Sequence, residues 1–153
     1  MRVVIQRVSS ASVSVNSNVV GSIDTGLVLF VAISHDDTDE DIQYVVEKII
    51  GMRIFSNEQG RFDRSLKEVS GALLVISQFT LYADTRKGRR PSFSNSASSD
   101  TASPLFDRLL RKFQDLNVAV ETGRFGEMMD VALVNDGPVT IIINSEDRYI
   151  SRH

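Results

Sequence analysis

No cysteine and no tryptophan occur among the 153 residues, and there are only three prolines and two histidines. Without cysteine there is no disulfide framework, no thiolate metal site and no thiol nucleophile. A histidine-based relay needs an ordered ring within hydrogen-bond reach of a hydroxyl. His153 ends the sequence, where chains fray, and His35 follows a strand pattern with no evident serine partner. Phosphate-cradling and metalloprotease patterns (G-x-x-x-x-G-K-[ST], G-x-G-x-x-G, H-E-x-x-H) are absent. The acidic run Asp36, Asp37, Asp39, Glu40, Asp41 lacks EF-hand spacing and reads as charge at a helix N-terminus. No metal and no cofactor are expected. The longest apolar run, residues 26–33, is far too short to span a membrane, and no signal-peptide core follows Arg2 and Arg7. A soluble, intracellular chain is expected.

Charge of one sign is also missing. Seventeen Lys and Arg against 20 Asp and Glu leave a net charge of −3, so a nucleic-acid partner needs a local basic patch. Arg86, Lys87, Arg89 and Arg90 form one, although a solvated loop explains the cluster equally simply. The 42% hydrophobic and 24% charged residues are ordinary for a globular chain. A single domain of this length buries about 68–70% of its unfolded surface.

Residues 2–8 alternate, with Val3, Ile5 and Arg7 on one face. Segments 12–15 and 19–23 around Asn16-Ser17-Asn18 predict a hairpin, and the unbroken apolar run 27–33 predicts a strand covered on both faces. Thr38 with Asp41 resembles a capping box, ahead of the helical stripe Ile42, Val45, Val46, Ile49, Ile50, with Gly51 to close it. Further strands are expected at 52–55, 72–81, 118–122, 128–134 and 139–144. Ser103 as N-cap and Pro104 at the first helical position predict a second helix carrying Leu105, Phe106, Leu109, Leu110 and Phe113. The loop before it, 83–103, is long enough to be functional or disordered. Together these predict one α+β domain over 1–153, with a mainly antiparallel curved sheet or barrel-like form and two principal helices.

Two segments stand out. At Ser77-Gln78-Phe79-Thr80 polar side chains enter the end of a buried strand, which a strand leaving the core also explains. Asn135-Asp136-Gly137-Pro138-Val139-Thr140 is a strong turn signal, and on local grounds a hairpin loop is the simpler reading.

Taken together, Ser77-Gln78-Phe79-Thr80-Leu81 and Asn135-x-Gly137-Pro138-x-Thr140 resemble the two signature motifs of the D-aminoacyl-tRNA deacylases. The opening strand with Arg7, the loop T-R-K-G-R-R-P-S-F from Thr85 to Phe93, and Gly123-Arg124-Phe125-Gly126 with Met129 extend the resemblance along almost the whole chain.

The resemblance implies a cytoplasmic homodimer that hydrolyses D-aminoacyl-tRNA and also mischarged glycyl-tRNA. Its active site would lie at the subunit interface. A cis Gly137-Pro138 unit from one subunit would enter the other's pocket and exclude L side chains. Ser77, Gln78, Phe79 and Thr80 would line that pocket, and N–H groups near Gln78 and Phe79 would stabilise an oxyanion. The tRNA 2′-OH would help activate water. Asn135, Thr140, Arg7, Phe125 and Met129 would surround the substrate, and Arg86, Lys87, Arg89 and Arg90 would contact tRNA phosphates. From the residues alone, Thr80 as a nucleophile, Arg7 as a solvated strand-end residue, and Phe125 and Met129 as plain core all remain open. So does a non-catalytic RNA-binding module.

Overall fold

Val3, Ile5 and Arg7 share one face of residues 2–8, and burying that face organises the sheet. The computed structural model describes residues 1–151, so His153 lies outside the described residues. Residues 2–8 and 12–15 belong to one strand, β1 (Arg2–Val15), not to two. Register shifts near Arg7 and Ser9 move the inward face without ending the ladder, which a strict period-two pattern cannot follow. β1 turns into β2 (Asn18–Ile23) through Asn16 and Ser17, at φ 49° and 65°, the paired positive values of a tight hairpin.

β3 (Gly26–Ala32) runs antiparallel to β1 and parallel to β6 (Ala72–Ser77), which is parallel to β7 (Ala119–Thr122). β8 (Asp130–Asn144) lies antiparallel along the other side of β1 and pairs with no further strand. A separate hairpin joins β4 (Phe55–Ser56) to β5 (Phe62–Arg64). The sheet curves until β7 nears β2: a β-carbon on Gly21 would stand 2.8 Å from the Thr122 carbonyl oxygen. This is the expected barrel-like α+β form, with two parallel pairings inside it. Those pairings explain the unbroken apolar runs. Leu27, Leu29, Leu73 and Val75 pack in the helix-side core, while Val28, Leu74 and Ile76 join Val8 and Val13 in the second core.

α1 (Asp39–Gly51) opens on the Thr38–Asp41 capping box and buries Ile42, Val45, Val46 and Ile49. Each fully buried aliphatic side chain of this kind contributes about 1.5–3 kcal/mol relative to exposure. Gly51 remains helical, and Met52 in extended conformation ends the helix instead. α2 (Ser99–Asp115) starts earlier than expected, on Ser98, with Pro104 inside it. The proline is tolerated because the carbonyl that loses its donor belongs to Asp100, on the exposed first turn. Leu105, Phe106, Leu109 and Phe113 are buried as expected, and Leu110 packs against the same core. Among the described residues no helix is long and apolar enough to cross a membrane.

Three further expectations need correction. Of the segment 52–55 only Phe55 is strand, the first residue of β4. The strand expected over 72–81 stops at Ser77, and Phe79–Tyr82 form a 3-10 turn. The segments 128–134 and 139–144 are one strand, so Asn135 to Pro138 make no hairpin. Asn135 pairs with Val8 and Thr140 with Gln6, leaving residues 136–139 all opposite the single residue Arg7. β8 is an edge strand, where a proline removes no ladder bond.

Candidate active site

The excursion at residues 136–139 is held from two sides. Arg7, a residue only 7% exposed, donates from Nε to the Asp136 carbonyl at 3.0 Å and from Nη1 to the Ile54 carbonyl at 2.7 Å. Its guanidinium also lies over the Phe62 ring, 5.4 Å from the centroid. A charged group this buried needs such acceptors. On the other side, the Asn135 side-chain oxygen accepts from the Val139 N–H at 2.9 Å, while its amide donates to Thr140 Oγ1 at 3.1 Å. Gln6 donates to the same hydroxyl at 3.1 Å. Between these braces the Gly137–Pro138 peptide is cis, Gly137 has φ 133°, and both residues are exposed.

A cleft of about 700 Å³ opens beyond the carboxyl ends of the parallel strands β3 and β6. Ser77, Gln78, Phe79 and Thr80 line it, together with Phe125 and Met129. Where β6 ends, the Gln78 N–H donates to the Val31 carbonyl at 2.8 Å, so it is not free for a ligand. The next N–H groups, of Phe79 and Thr80, open the 3-10 turn and have no acceptor among the described residues. Thr80 Oγ1 accepts from the Gln78 amide at 2.5 Å. The Phe79 ring, 54% exposed, meets Phe93 edge to face at 5.1 Å. Phe125 serves both core and cleft, since it also packs on Phe106 at 5.7 Å.

The structure therefore brings Ser77 to Thr80 together with Phe125 and Met129, but does not bring Arg7, Asn135, Gly137, Pro138 or Thr140 into the same chain's cleft. Sequence reasoning missed Ser96, Ala97 and Ser98 as a wall of the cleft. The length of the aperiodic loop was their only signal. They are drawn in because the Ala97 N–H donates to the Ile33 carbonyl at 2.9 Å, pinning the loop to the end of β3.

Arg86, Lys87, Arg89 and Arg90 sit on an exposed loop closed at its base by two backbone bonds between Asp84 and Ser92, of 2.7 and 2.9 Å. The Arg86 guanidinium and N–H hydrogen-bond to Asp84 and hold its carboxyl down at about 2. Lys87, Arg89 and Arg90 make no ion pair among the described residues.

The cleft on this barrel-like α+β fold is lined in part by Phe79 and Thr80, whose main-chain N–H groups have no acceptor among the described residues, an arrangement compatible with hydrolase chemistry. The model of the family described as D-Tyr-tRNA(Tyr) deacylase matches residues 4–144, and the chain belongs to that family. A D-aminoacyl-tRNA deacylase of Halalkalibacterium halodurans is 53% identical over 146 residues, covering 95% of this chain and 100% of that protein. One of Thermus aquaticus is 51% identical over 148 residues, 97% of each chain. Among solved structures, a c-Myc DNA Unwinding Element Binding Protein superposes with TM-score 0.88 at 32% identity, covering 94% of this chain and 98% of that one. A probable eukaryotic D-amino acid tRNA deacylase shares the fold at TM-score 0.76 and 21% identity, over 93% and 97% of the two chains. The chain is accordingly a hydrolase of the ester bond of D-aminoacyl-tRNA.

Proposed function

We propose that the chain, as one catalytic unit over 1–153, proofreads tRNA in the cytoplasm by removing D-amino acids and glycine while sparing L-amino acids. The supporting observation is the separation of two exposed, braced elements: the Ser77–Thr80 cleft, and the Gly137–Pro138 unit outside it. A homodimer reconciles them, with Gly137–Pro138 of one subunit entering the cleft of its partner. The unpaired side of β8, with Val134 and Ile142 exposed, is the kind of long apolar edge that a second chain covers.

In that pose the Gly137 and Pro138 carbonyls stand against the substrate's α-carbon. An L side chain runs into fixed backbone and a D side chain points away, so selection works by exclusion. Glycine has nothing to exclude and passes. Phe125 and Met129 shape the apolar wall, while Ser77, Gln78 and Thr80 set the position of the 3-10 turn.

Hydrolysis asks little of the side chains, because an aminoacyl ester is already reactive. The free Phe79 N–H, with Thr80 N–H beside it, meets the developing oxyanion, and one such donor is worth about 2.7–4 kcal/mol. The tRNA 2′-OH assists the attacking water; among the described residues no imidazole lines the cleft. Lys87, Arg89 and Arg90, with Arg86 braced by Asp84, meet tRNA phosphates.

Subunit mixing tests the composite site. A Phe79→Pro chain lacks the oxyanion N–H, and a chain with Gly137 and Pro138 both replaced by alanine lacks the filter. The first is inactive and the second hydrolyses D and L esters alike; co-refolded, they form a mixed dimer with one intact site, and preference for the D ester returns. Persistent loss of that preference in a demonstrated mixed dimer overturns the cross-subunit reading. A nucleic-acid-binding role without catalysis is the second reading, favoured by the basic loop; it predicts salt-sensitive tRNA binding with no ester hydrolysis.

A further inference from the structure

A second cavity, of about 540 Å³, lies on the far side of the Phe79–Tyr82 turn. Thr80 and Ser96 line the catalytic cleft, and Tyr82 and Asn95 line this cavity. The two sites therefore adjoin across the turn, as consecutive nucleotides adjoin along a strand. We propose that this cavity holds the base of the nucleotide preceding the terminal adenosine, which in the CCA end of tRNA is cytosine. The proposal rests on the reading of the first cleft as the aminoacyl-adenosine site.

Its lining fits a neutral base better than a phosphate. Arg86 is neutralised by Asp84, which leaves the Arg2 cation facing two carboxylates, Asp36 and Glu146, with no ion-pair partner among the described residues. A phosphate entering there meets net negative charge. Cytosine presents an exocyclic amine donor beside ring acceptors, and carboxylates accept from such an amine. The complementary donors are the Asn95 amide, which has no partner among the described residues, and Arg2.

Arg2 is held rigidly, donating from Nε to Asn144 Oδ1 at 2.7 Å and from Nη1 to the Leu81 carbonyl at 2.9 Å, which leaves Nη2 free. Its guanidinium lies 5.0 Å from the Tyr82 ring centroid. Unpaired RNA bases are commonly held on aromatic rings or arginine planes and read on their Watson–Crick edges. Burial raises the Tyr82 phenol to about 12, so the ring stays neutral beside the base.

The test compares kcat/KM for 3′-D-tyrosyl adenosine, cytidylyl-adenosine and uridylyl-adenosine. Cytidine is expected to raise kcat/KM at least tenfold over adenosine alone. Uridine, which replaces the amine by a carbonyl, is expected to recover less than a third of that gain. Asn95→Ala is expected to reduce the ratio of cytidylyl to adenosine substrate several-fold. Equal values for cytidine and uridine, or no gain from either, overturn the subsite while leaving the deacylase reading intact. No hydrolysis of any of the three overturns both.

Discussion

Arg7 donates to the carbonyl of Asp136, the residue immediately before Gly137, at 3.0 Å. The same guanidinium reaches Ile54, so one buried side chain ties the 136–139 excursion to the strap ahead of β4. Selection by backbone carbonyls requires those carbonyls to be immobile, and Arg7 with Asn135 supplies the restraint.

Replacing Arg7 with methionine keeps much of the bulk and removes both hydrogen bonds. Bonds to charged groups are worth about 1.5–3 kcal/mol each, and the two abandoned carbonyls partly regain water, so a net loss of about 3 kcal/mol is expected in urea unfolding. The D-to-L ratio of kcat/KM should fall at least tenfold. An unchanged ratio in folded protein would reduce Arg7 to a structural residue.

Gly137 has no room for a methyl group. A β-carbon there stands 2.8 Å from Val139 Cγ2 and 3.0 Å from Arg7 Nη2, on backbone at φ 133°. Gly137→Ala should displace the carbonyls and lower the D-to-L ratio of kcat/KM at least tenfold. Gly60, at φ 74° with open space around it, is the control: Gly60→Ala should cost about 1–2 kcal/mol of stability and leave turnover unchanged.

Thr80 accepts a hydrogen bond from Gln78 and, among the described residues, faces no imidazole. Thr80→Ala should therefore keep more than a tenth of wild-type kcat. Loss of a true nucleophile costs orders of magnitude more.

Acid stability should report on Asp41. Burial pushes its carboxyl up, but hydrogen bonds from Ser145, the Thr38 N–H and Arg148 outweigh that and hold it below its ordinary 3.8. A group with a depressed folded value stabilises the fold above its unfolded value and loses that contribution as pH falls through the folded one. Thermal unfolding between pH 5 and pH 2 should show stability falling below about pH 3.8, and Asp41→Asn should flatten that slope.

Much of this architecture was legible in the sequence because local and global signals agreed. The Thr38–Asp41 box and the stripe from Ile42 to Ile49 specify α1 without help from the rest of the chain. Where tertiary pairing decides, the pattern misled. Asn-Asp-Gly-Pro reads as a turn because four residues do leave the ladder, yet β1 recaptures the strand at Thr140. Pro104 looks like a helix start, whereas packing of Ala102 into the core extends α2 back to Ser99. The motif residues were visible, but no local pattern could show that Gly137–Pro138 and the Ser77–Thr80 cleft are apart within one chain.

Single-turnover deacylation of D-tyrosyl-, glycyl- and L-tyrosyl-tRNA by the purified protein, without added metal, tests selection by exclusion most directly. Fast loss of the D and glycyl esters, with the L ester at least a hundredfold slower, is the expected result. Equal loss of the D and L esters would contradict a backbone filter, and so would sparing of the glycyl ester.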